Sequence, residues 1–279
     1  MTRLAVALTL TLVPVVNAQS VPDIATVLER AQNYVTRYEE ELGNLIGQEE
    51  YSQSASWQGS RGLTERRRMS SDFLLVRTGE TWFGTRNVLR VDGLRVDAKK
   101  KNSADLLGGP PETLRRQLSE IDRDNARYNV GDFLRTFNVP TFPLTLLVKA
   151  NLRRFSFEKI SEKKLENVKA WEIRFVEVGS PTLLRGFNGE DRAQHGRLWI
   201  EPETGRVLRT ENVVDAKEEQ TTYQARIVVT YKVNAKLGML VPAEMEETYT
   251  TRAHRVDALA RYSNFRRFAT DVKLDVKID

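Results

Sequence analysis

The chain contains no cysteine and only two histidines among its 279 residues. The lack of cysteine excludes disulfides, thiol nucleophiles, thiolate metal sites and a lipid-anchored cysteine. A histidine metal site usually needs two or three imidazoles, often at helical spacing, and neither His195 nor His254 belongs to such a motif. We therefore expect no metal site and no cofactor.

Motifs of familiar catalytic sites are also missing. The sequence has no G-x-S-x-G nucleophile turn and no glycine-rich phosphate loop, although a hydrolase that uses one of the two histidines stays open. Glu244, Glu246 and Glu247 share one predicted strand, and paired carboxylates are typical of glycosidases. Because neighbouring acids repel unless they are neutralised, a solvated strand face opposite arginines is the favoured interpretation. The sequence thus predicts a protein that is not an enzyme.

The excess of positive charge is small and well mixed. Lys and Arg number 43 against 38 Asp and Glu, a net charge of +5. Basic runs such as Arg66-Arg67-Arg68 alternate with acidic stretches and form no single stripe, which indicates solvated faces and argues against a nucleic-acid partner. Anionic lipid headgroups or acidic polysaccharides fit this balance better, and a peripheral contact with an anionic membrane surface is one expectation.

The first eighteen residues have the features of a signal peptide. Arg3 precedes an apolar run over residues 4–13, Pro14 interrupts it, and Val16-Asn17-Ala18 has small residues where signal peptidase requires them. As a helix this segment would span only about 20 Å, against a hydrocarbon core of about 30 Å. We expect cleavage after Ala18, a periplasmic or secreted mature protein, and no transmembrane segment after cleavage.

Hydrophobic periodicity predicts two helices in the first half of the mature chain. Apolar residues recur at three- and four-residue steps from Ile24 to Leu45, which predicts a helix of about six turns that Gly43 and Gly47 end. A second amphipathic helix is expected from Leu114 to about Tyr128, after the breaker at 108–111. The apolar connection 133–148 contains two prolines and predicts one short helix.

The rest of the chain has the two-residue period of strands. Strands are predicted at 49–57, 69–77, 82–91, 155–157, 171–175, 197–201, 207–214, 227–233, 239–251, 258–268 and 272–278. Asp92-Gly93 is a tight turn, the polar stretch 161–167 is expected to close a hairpin, and 179–194 is the best candidate linker. The prediction is an α+β fold of about ten or eleven antiparallel strands in a single domain over 19–279, with a helical and apolar insert at 110–150.

The stretch 195–211, HGRLWIEPETGRVLRTE, resembles the tryptophan-centred hairpin of the periplasmic lipoprotein carrier (LolA-like) superfamily. The layout is similar too, and segments 241–245 and 262–268 look like those of uncharacterised secreted bacterial proteins. The resemblance implies an open half-barrel: a curved antiparallel sheet with an N-terminal helix and a helical insert on its concave side. It further implies that the inner face receives acyl chains or a lipidated peptide. No catalytic residue carries over, and the insert 110–150 is longer than the family's, so that it could plug the ligand space.

Large apolar side chains are the candidate ligand contacts, whether they line a cavity or act as a lid over it. They are Phe133, Phe137, Phe142, Leu146, Leu147, Trp82, Trp171 and Trp199. The predicted function is an exported, non-enzymatic binding protein whose partner is a hydrophobic small molecule, a lipid or a lipoprotein. The alternative is a protein-interaction or sensor module in which the same side chains fill the core. In the first case the run 133–148 would be a movable lid, and in the second a packed plug.

Overall fold

The computed structural model describes residues 22–42, 45–59, 64–78, 81–96, 103, 111–131, 135, 138–186, 188–218 and 221–267. Its helices are α1 (Ile24–Leu42) and α2 (Pro111–Asn125), with short 3₁₀ helices at Ala126–Tyr128, Phe142–Leu147 and Leu152–Arg154. The strands are β1 (Leu45–Trp57), β2 (Thr64–Thr78), β3 (Thr81–Val91), β4 (Leu94–Arg95), β5 (Phe155–Leu165), β6 (Val168–Glu177), β7 (Leu184–Arg185), β8 (Asp191–Arg192), β9 (Gln194–Ile200), β10 (Val207–Glu218), β11 (Thr221–Asn234), β12 (Met239–Thr250) and β13 (His254–Arg267). The predicted signal peptide and the predicted strand 272–278 lie outside the described residues.

Eleven of these strands form one antiparallel sheet. Their order is β4-β3-β2-β1-β13-β12-β11-β10-β9-β6-β5, while β7 and β8 pair separately inside the predicted linker 179–194. β4 and β5 end the order, so the sheet is open. Phe73 near one end and Phe175 near the other belong to a single apolar cluster that also contains α1, so the sheet curls around this helix. The predicted α+β open half-barrel is confirmed, and we call the face toward α1 the inner face.

Helix α1 fills the middle of the half-barrel. The Asp23 carboxylate accepts a hydrogen bond of 2.7 Å from the Thr26 amide, which caps the helix and lowers the pKa of Asp23. Val27, Ala31 and Val35 lie on one buried stripe. The helix ends three residues earlier than its apolar period suggested, because Leu45 belongs to β1, where it is also fully buried.

Two tight turns explain the sharp hairpins of the sheet. Asp92-Gly93 has φ angles of 49° and 83°, and Glu166-Asn167 has 46° and 71°, as in two-residue type I′ turns. The second turn closes the hairpin predicted at 161–167, and β5 continues through this stretch to Leu165. β5 lies at the edge of the sheet, where water reaches one side of the strand, and its charged residues are compatible with this position.

The insert divides between the two faces of the sheet. Leu114 and Leu118 of α2 pack against the outer face, in a cluster separate from the main core whose other members are Ile46, Leu74 and Val76. The expectation of a helical insert on the concave side is therefore wrong for α2. The physical reason lies in β2, which is apolar on both faces over residues 73–76 and so needs cover outside as well as inside.

The second part of the insert does lie on the inner face. Leu144, Leu146 and Leu147 of the 3₁₀ helix are buried in the main core, beside α1 and β10. The Tyr231 hydroxyl donates a hydrogen bond of 2.6 Å to the Pro140 carbonyl, and Val139 fills the space that a side chain at position 84 would need. Residues 138–148 thus pack against the inner face as a plug.

The inner face also holds a buried polar cluster. The side chain of Glu49 is fully buried, and one of its oxygens accepts a hydrogen bond of 2.7 Å from Nε of Arg86. Burial raises the pKa of Glu49 although the Arg86 cation opposes this. Arg135 donates to the Tyr51 hydroxyl at 2.9 Å and to Oε1 of Gln53 at 2.5 Å. Arg135 thus ties the insert to β1, and Arg86 ties it to β3 by donating a hydrogen bond of 3.1 Å to the Asn138 carbonyl.

Candidate functional site

The residues that invited a catalytic interpretation lie in structural contacts. His195 is a surface residue of β9, 3.9 Å from an oxygen of Asp215, and His254 stacks on Trp57 where β13 begins. Glu244 and Glu246 face solvent beside arginines, at 3.1 Å from Arg261 and 3.8 Å from Arg209, whereas Glu247 points into the core. The favoured interpretation of this strand holds for the first two acids. Within the described ranges, no three side chains of His, Asp or Glu lie close enough to share a metal ion.

The predicted ligand contacts occupy different parts of the molecule. Phe142, Leu146, Leu147 and Trp171 pack in the inner core, and both leucines are almost completely buried. Trp199 lies on the outer face, where the Arg209 guanidinium sits 5.6 Å from its ring. Trp82 lies on β3, but its side chain is outside the described part of the molecule, as are Phe133 and Phe137. Their contact with a ligand stays a prediction.

A cleft of about 540 Å³ opens where several strands end, and we call it the end cleft. The β5–β6 hairpin tip forms one wall, the start of β10 forms the floor, and the β11–β12 hairpin forms the other wall. Its apolar lining consists of Leu165, Val168, Leu208, Tyr231, Val233 and Leu240. Val233 remains 61% exposed, so this apolar lining reaches the surface. The volume is typical of a small-molecule site.

An ion pair holds the hairpin tip in place over the cleft. Nζ of Lys232 on β11 lies 2.7 Å from Oε1 of Glu166, which occupies the tight turn of the β5–β6 hairpin. The hydrogen bond to this carboxylate raises the pKa of Lys232. The pair is largely exposed, so it positions the tip and contributes little to stability.

A second, smaller cleft of about 240 Å³ adjoins the end cleft. The two share Arg206, Val233 and Leu240, and the smaller one adds Tyr34, Arg37 and Tyr38 from α1. Among the described residues, neither the buried Tyr38 hydroxyl beside the smaller cleft nor the buried Nε of Arg209 beside the end cleft has a hydrogen-bond partner. Both atoms lie beneath the surface of the clefts.

Positive charge dominates the rim of both clefts. Lys164, Arg206, Arg209 and Lys232 surround the end cleft and Arg37 the smaller one, whereas Glu166 is the carboxylate among their lining residues. Arg206 is bound by Glu201 at 2.7 Å and 3.0 Å, and this hydrogen bonding raises the pKa of Arg206. Lys164 and Arg37 form no ion pair with any carboxylate that the structure describes, so they are available to an anion.

The tryptophan-centred hairpin has a clear structural role next to this site. Its turn, residues 201–206, joins β9 to β10 and rests on α1. Nη1 of Arg30 donates a hydrogen bond of 2.6 Å to the Pro202 carbonyl, and Gly205 at φ +76° touches the backbone of Arg30. The turn therefore fixes the position of α1 relative to β10, which forms the floor of the end cleft.

Sequence reasoning missed the lining of the end cleft. Leu165 and Val168 flank the polar turn Glu166-Asn167, and Val233 directly precedes the turn that starts at Asn234. Hairpin turns usually lie at the surface, so apolar residues beside them were the signal in the sequence that could have indicated this lining. That the tips of two hairpins distant in sequence form one cleft depends on sheet curvature, which periodicity does not report.

No protein-family model matches the chain, and no curated protein matches it in sequence. Among solved structures, it is similar to a Vibrio parahaemolyticus domain described as an outer membrane lipoprotein-sorting protein, with 13% identity, a TM-score of 0.35, and coverage of 86% of this chain and 91% of that one. It is also similar to a DUF1329 family protein from Desulfovibrio piger, with 10% identity, a TM-score of 0.36, and coverage of 92% of this chain and 95% of that one. A LolA superfamily protein from Nitrosomonas europaea has 8% identity and a TM-score of 0.33, with coverage of 88% of this chain and 93% of that one.

Neither of the two described α-helices is both long and apolar enough to span a membrane.

Proposed function

We propose that this protein is an exported, non-enzymatic binding protein that holds an amphiphile, an apolar chain with an anionic head, in the end cleft. The observation that carries the proposal is the combination of an aliphatic lining with a cationic rim. The apolar chain lies against Leu208, Val233 and Leu240, and the anionic head lies near Lys164. Export rests on the predicted signal peptide, and the cellular location is periplasmic or secreted.

The energetics of this site come from buried apolar area. Each methylene transferred from water contributes about 0.8 kcal/mol, so a chain of several methylenes binds reversibly without any covalent step. A cation at the rim adds selectivity for an anionic head, because a neutral head leaves Lys164 and Arg37 without a counterion. A lipid or the acyl group of a lipoprotein has this chemistry.

The plug supports a second candidate function. Residues 138–148 pack against the inner face through Leu144, Leu146 and Leu147, as in a protein-interaction or sensor module with a filled core. In the first proposal the ligand lies at the end of the strands, and in the second the inner face is structural and a protein partner binds outside. Binding of an amphiphile at the end cleft separates the two.

Replacing Val233 by Asp should weaken amphiphile binding about ten-fold or more, because the change puts a charge on the apolar wall of the cleft. The side chain is 61% exposed, so folding should be unaffected. The probe is a fluorescent fatty acid titrated against the full chain, with its methyl ester as the neutral counterpart. The acid should bind more tightly than the ester, and Lys164→Gln should reduce this difference.

The matched control is Val178→Asp, since Val178 is 68% exposed and does not line either cleft. It should bind the probe like the unmodified protein. An equal loss in both variants, or no loss in Val233→Asp, contradicts binding at the end cleft. Failure of the unmodified protein to bind any amphiphile favours the interaction module.

A further inference from the structure

Four arginines on the outer face of β2, β3 and β4 lack the ion pairs that most arginines have elsewhere on the sheet. They are Arg66, Arg68, Arg90 and Arg95, all exposed, and we call them the arginine corner. None forms a salt bridge with a carboxylate among the described residues. On the rest of the outer face most arginines are paired with carboxylates, as Arg174, Arg197, Arg226, Arg255 and Arg261 show, and Arg266 is an exception.

The strand register brings these unpaired cations together. Arg90 lies directly opposite Arg95 in the β3–β4 pair, and like charges in that position destabilise a hairpin. Arg66 and Arg68 are two residues apart on β2 and project from the same face, at a spacing of about 7 Å. A bound anion would relieve the repulsion that the fold maintains here.

The space beside the corner can admit such an anion. A shallow groove of about 610 Å³ runs along the outer face of β1, between Arg66 and Arg68 on one side and β12 and β13 on the other. Its floor carries the small hydroxyl side chains of Ser52 and Ser54. The far side carries the carboxylates of Glu244, Glu246 and Asp257. Each has an arginine of its own, Arg261 at 3.1 Å, Arg209 at 3.8 Å and Arg255 at 2.7 Å, so none of them pairs with the corner.

An exposed leucine at the turn of the same hairpin indicates the kind of anion. Leu94 follows the Asp92-Gly93 turn and is 76% exposed, and Leu89 on β3 is 43% exposed. Leu94 pairs with Val91 and so projects from the opposite face of the hairpin to Arg90 and Arg95, at its tip. An apolar tip with arginines beside it matches an anionic lipid surface that the hairpin meets end-on, where the leucine enters the interface and the arginines meet headgroups. An acidic protein or a free phosphate would use the arginines but not the leucines.

We propose that the β3–β4 hairpin and the arginine corner dock this protein on an anionic lipid surface. The surface shares no residue with the end cleft, so the inference is independent of amphiphile binding. Each arginine near a charged bilayer contributes about five-fold in affinity, and the attraction is screened by salt.

The test is flotation of the full chain with vesicles of phosphatidylcholine alone and of phosphatidylcholine with phosphatidylglycerol, at low and high salt. We expect binding only to the anionic vesicles and its loss at high salt. At low salt, Arg90→Gln combined with Arg95→Gln should reduce the partition coefficient about 25-fold, and Leu94→Ser should reduce it as well. The control is Arg174→Gln combined with Arg197→Gln, which removes the same charge from the other half of the outer face and should retain most of the binding.

Equal losses in the two double variants would assign the effect to net charge and overturn the proposal. Equal binding to neutral and anionic vesicles would do the same. Binding of soluble polyglutamate or inorganic phosphate at the corner, without binding to vesicles, would assign the arginines to an acidic protein or a free anion and overturn the membrane assignment.

Discussion

Arg86→Met should destabilise the protein by about 3–5 kcal/mol, the cost of leaving a buried charge without its partner. The Glu49 side chain has no exposed surface, and Nε of Arg86 binds it at 2.7 Å. The Arg86 guanidinium also lies 4.8 Å from the centre of the Tyr51 ring and donates 3.1 Å to the Asn138 carbonyl. The variant therefore loses the counterion of Glu49 and one attachment of the plug.

The loss of stability in Arg86→Met should increase with pH. Burial holds the pKa of Glu49 above its usual value in the folded protein, so the folded state binds this proton more tightly than the unfolded chain does. The free energy of unfolding that this group contributes is fully present below its unfolded pKa and falls as pH rises through its folded pKa. Removing Arg86 raises the folded pKa further. The deficit of Arg86→Met should therefore be larger at pH 8 than at pH 5, as measured by urea midpoints.

Two further variants make this test specific. Adding Glu49→Gln to Arg86→Met should recover part of the loss and remove its pH dependence, because the uncompensated charge is gone. Arg174→Met removes an arginine from an exposed pair with Glu158 and should cost at most about 1 kcal/mol. A deficit in Arg86→Met that is equal at both pH values would show that Glu49 is not the group left unpaired.

The burial of two acids, Glu49 and Glu247, has a signal in the sequence that the predicted strands did not take into account. Glu247 is in phase with Met245 and Tyr249, and Glu49 is in phase with Leu45 and Tyr51, so both belong to the inner face. A carboxylate in phase with core residues has to be paired with a cation or protonated. The partner of Glu49 could not be predicted, because Arg86 reaches it across β2 from a different strand.

The overall architecture was more predictable than the position of the insert. Alternation located the strands, and the pair Asp92-Gly93 specified a hairpin turn, because both signals are local. The four consecutive apolar residues 73–76 are a signal for a strand buried on both faces, which needs cover outside the half-barrel, and the expectation of a concave insert did not use it. The end cleft required the curvature of the whole sheet, which results from twist and packing and has no local signature.

Gly205→Ala should cost about 2–5 kcal/mol and loosen α1. At φ +76° a residue with a Cβ is strained by about 1–2 kcal/mol, and here the Cβ would also overlap the backbone of Arg30. Because backbone cannot rotate away as a side chain can, helix and turn would have to separate. Urea unfolding measures the first effect, and hydrogen exchange of the amides in α1 measures the second.

Gly238→Ala separates strain from contact. Gly238 has φ +69°, but a Cβ there would meet nothing within 4 Å, so the variant should cost only the conformational part, about 1–2 kcal/mol, and leave exchange in α1 unchanged. Equal losses in the two variants, or unchanged exchange in α1 of Gly205→Ala, would mean that the turn does not hold the helix. If α1 does loosen, amphiphile binding should weaken with it, because Tyr34, Arg37 and Tyr38 reach the smaller cleft from this helix. The turn of the tryptophan-centred hairpin would then act on the ligand site through α1, which links the residues that carry the family resemblance to the proposed function.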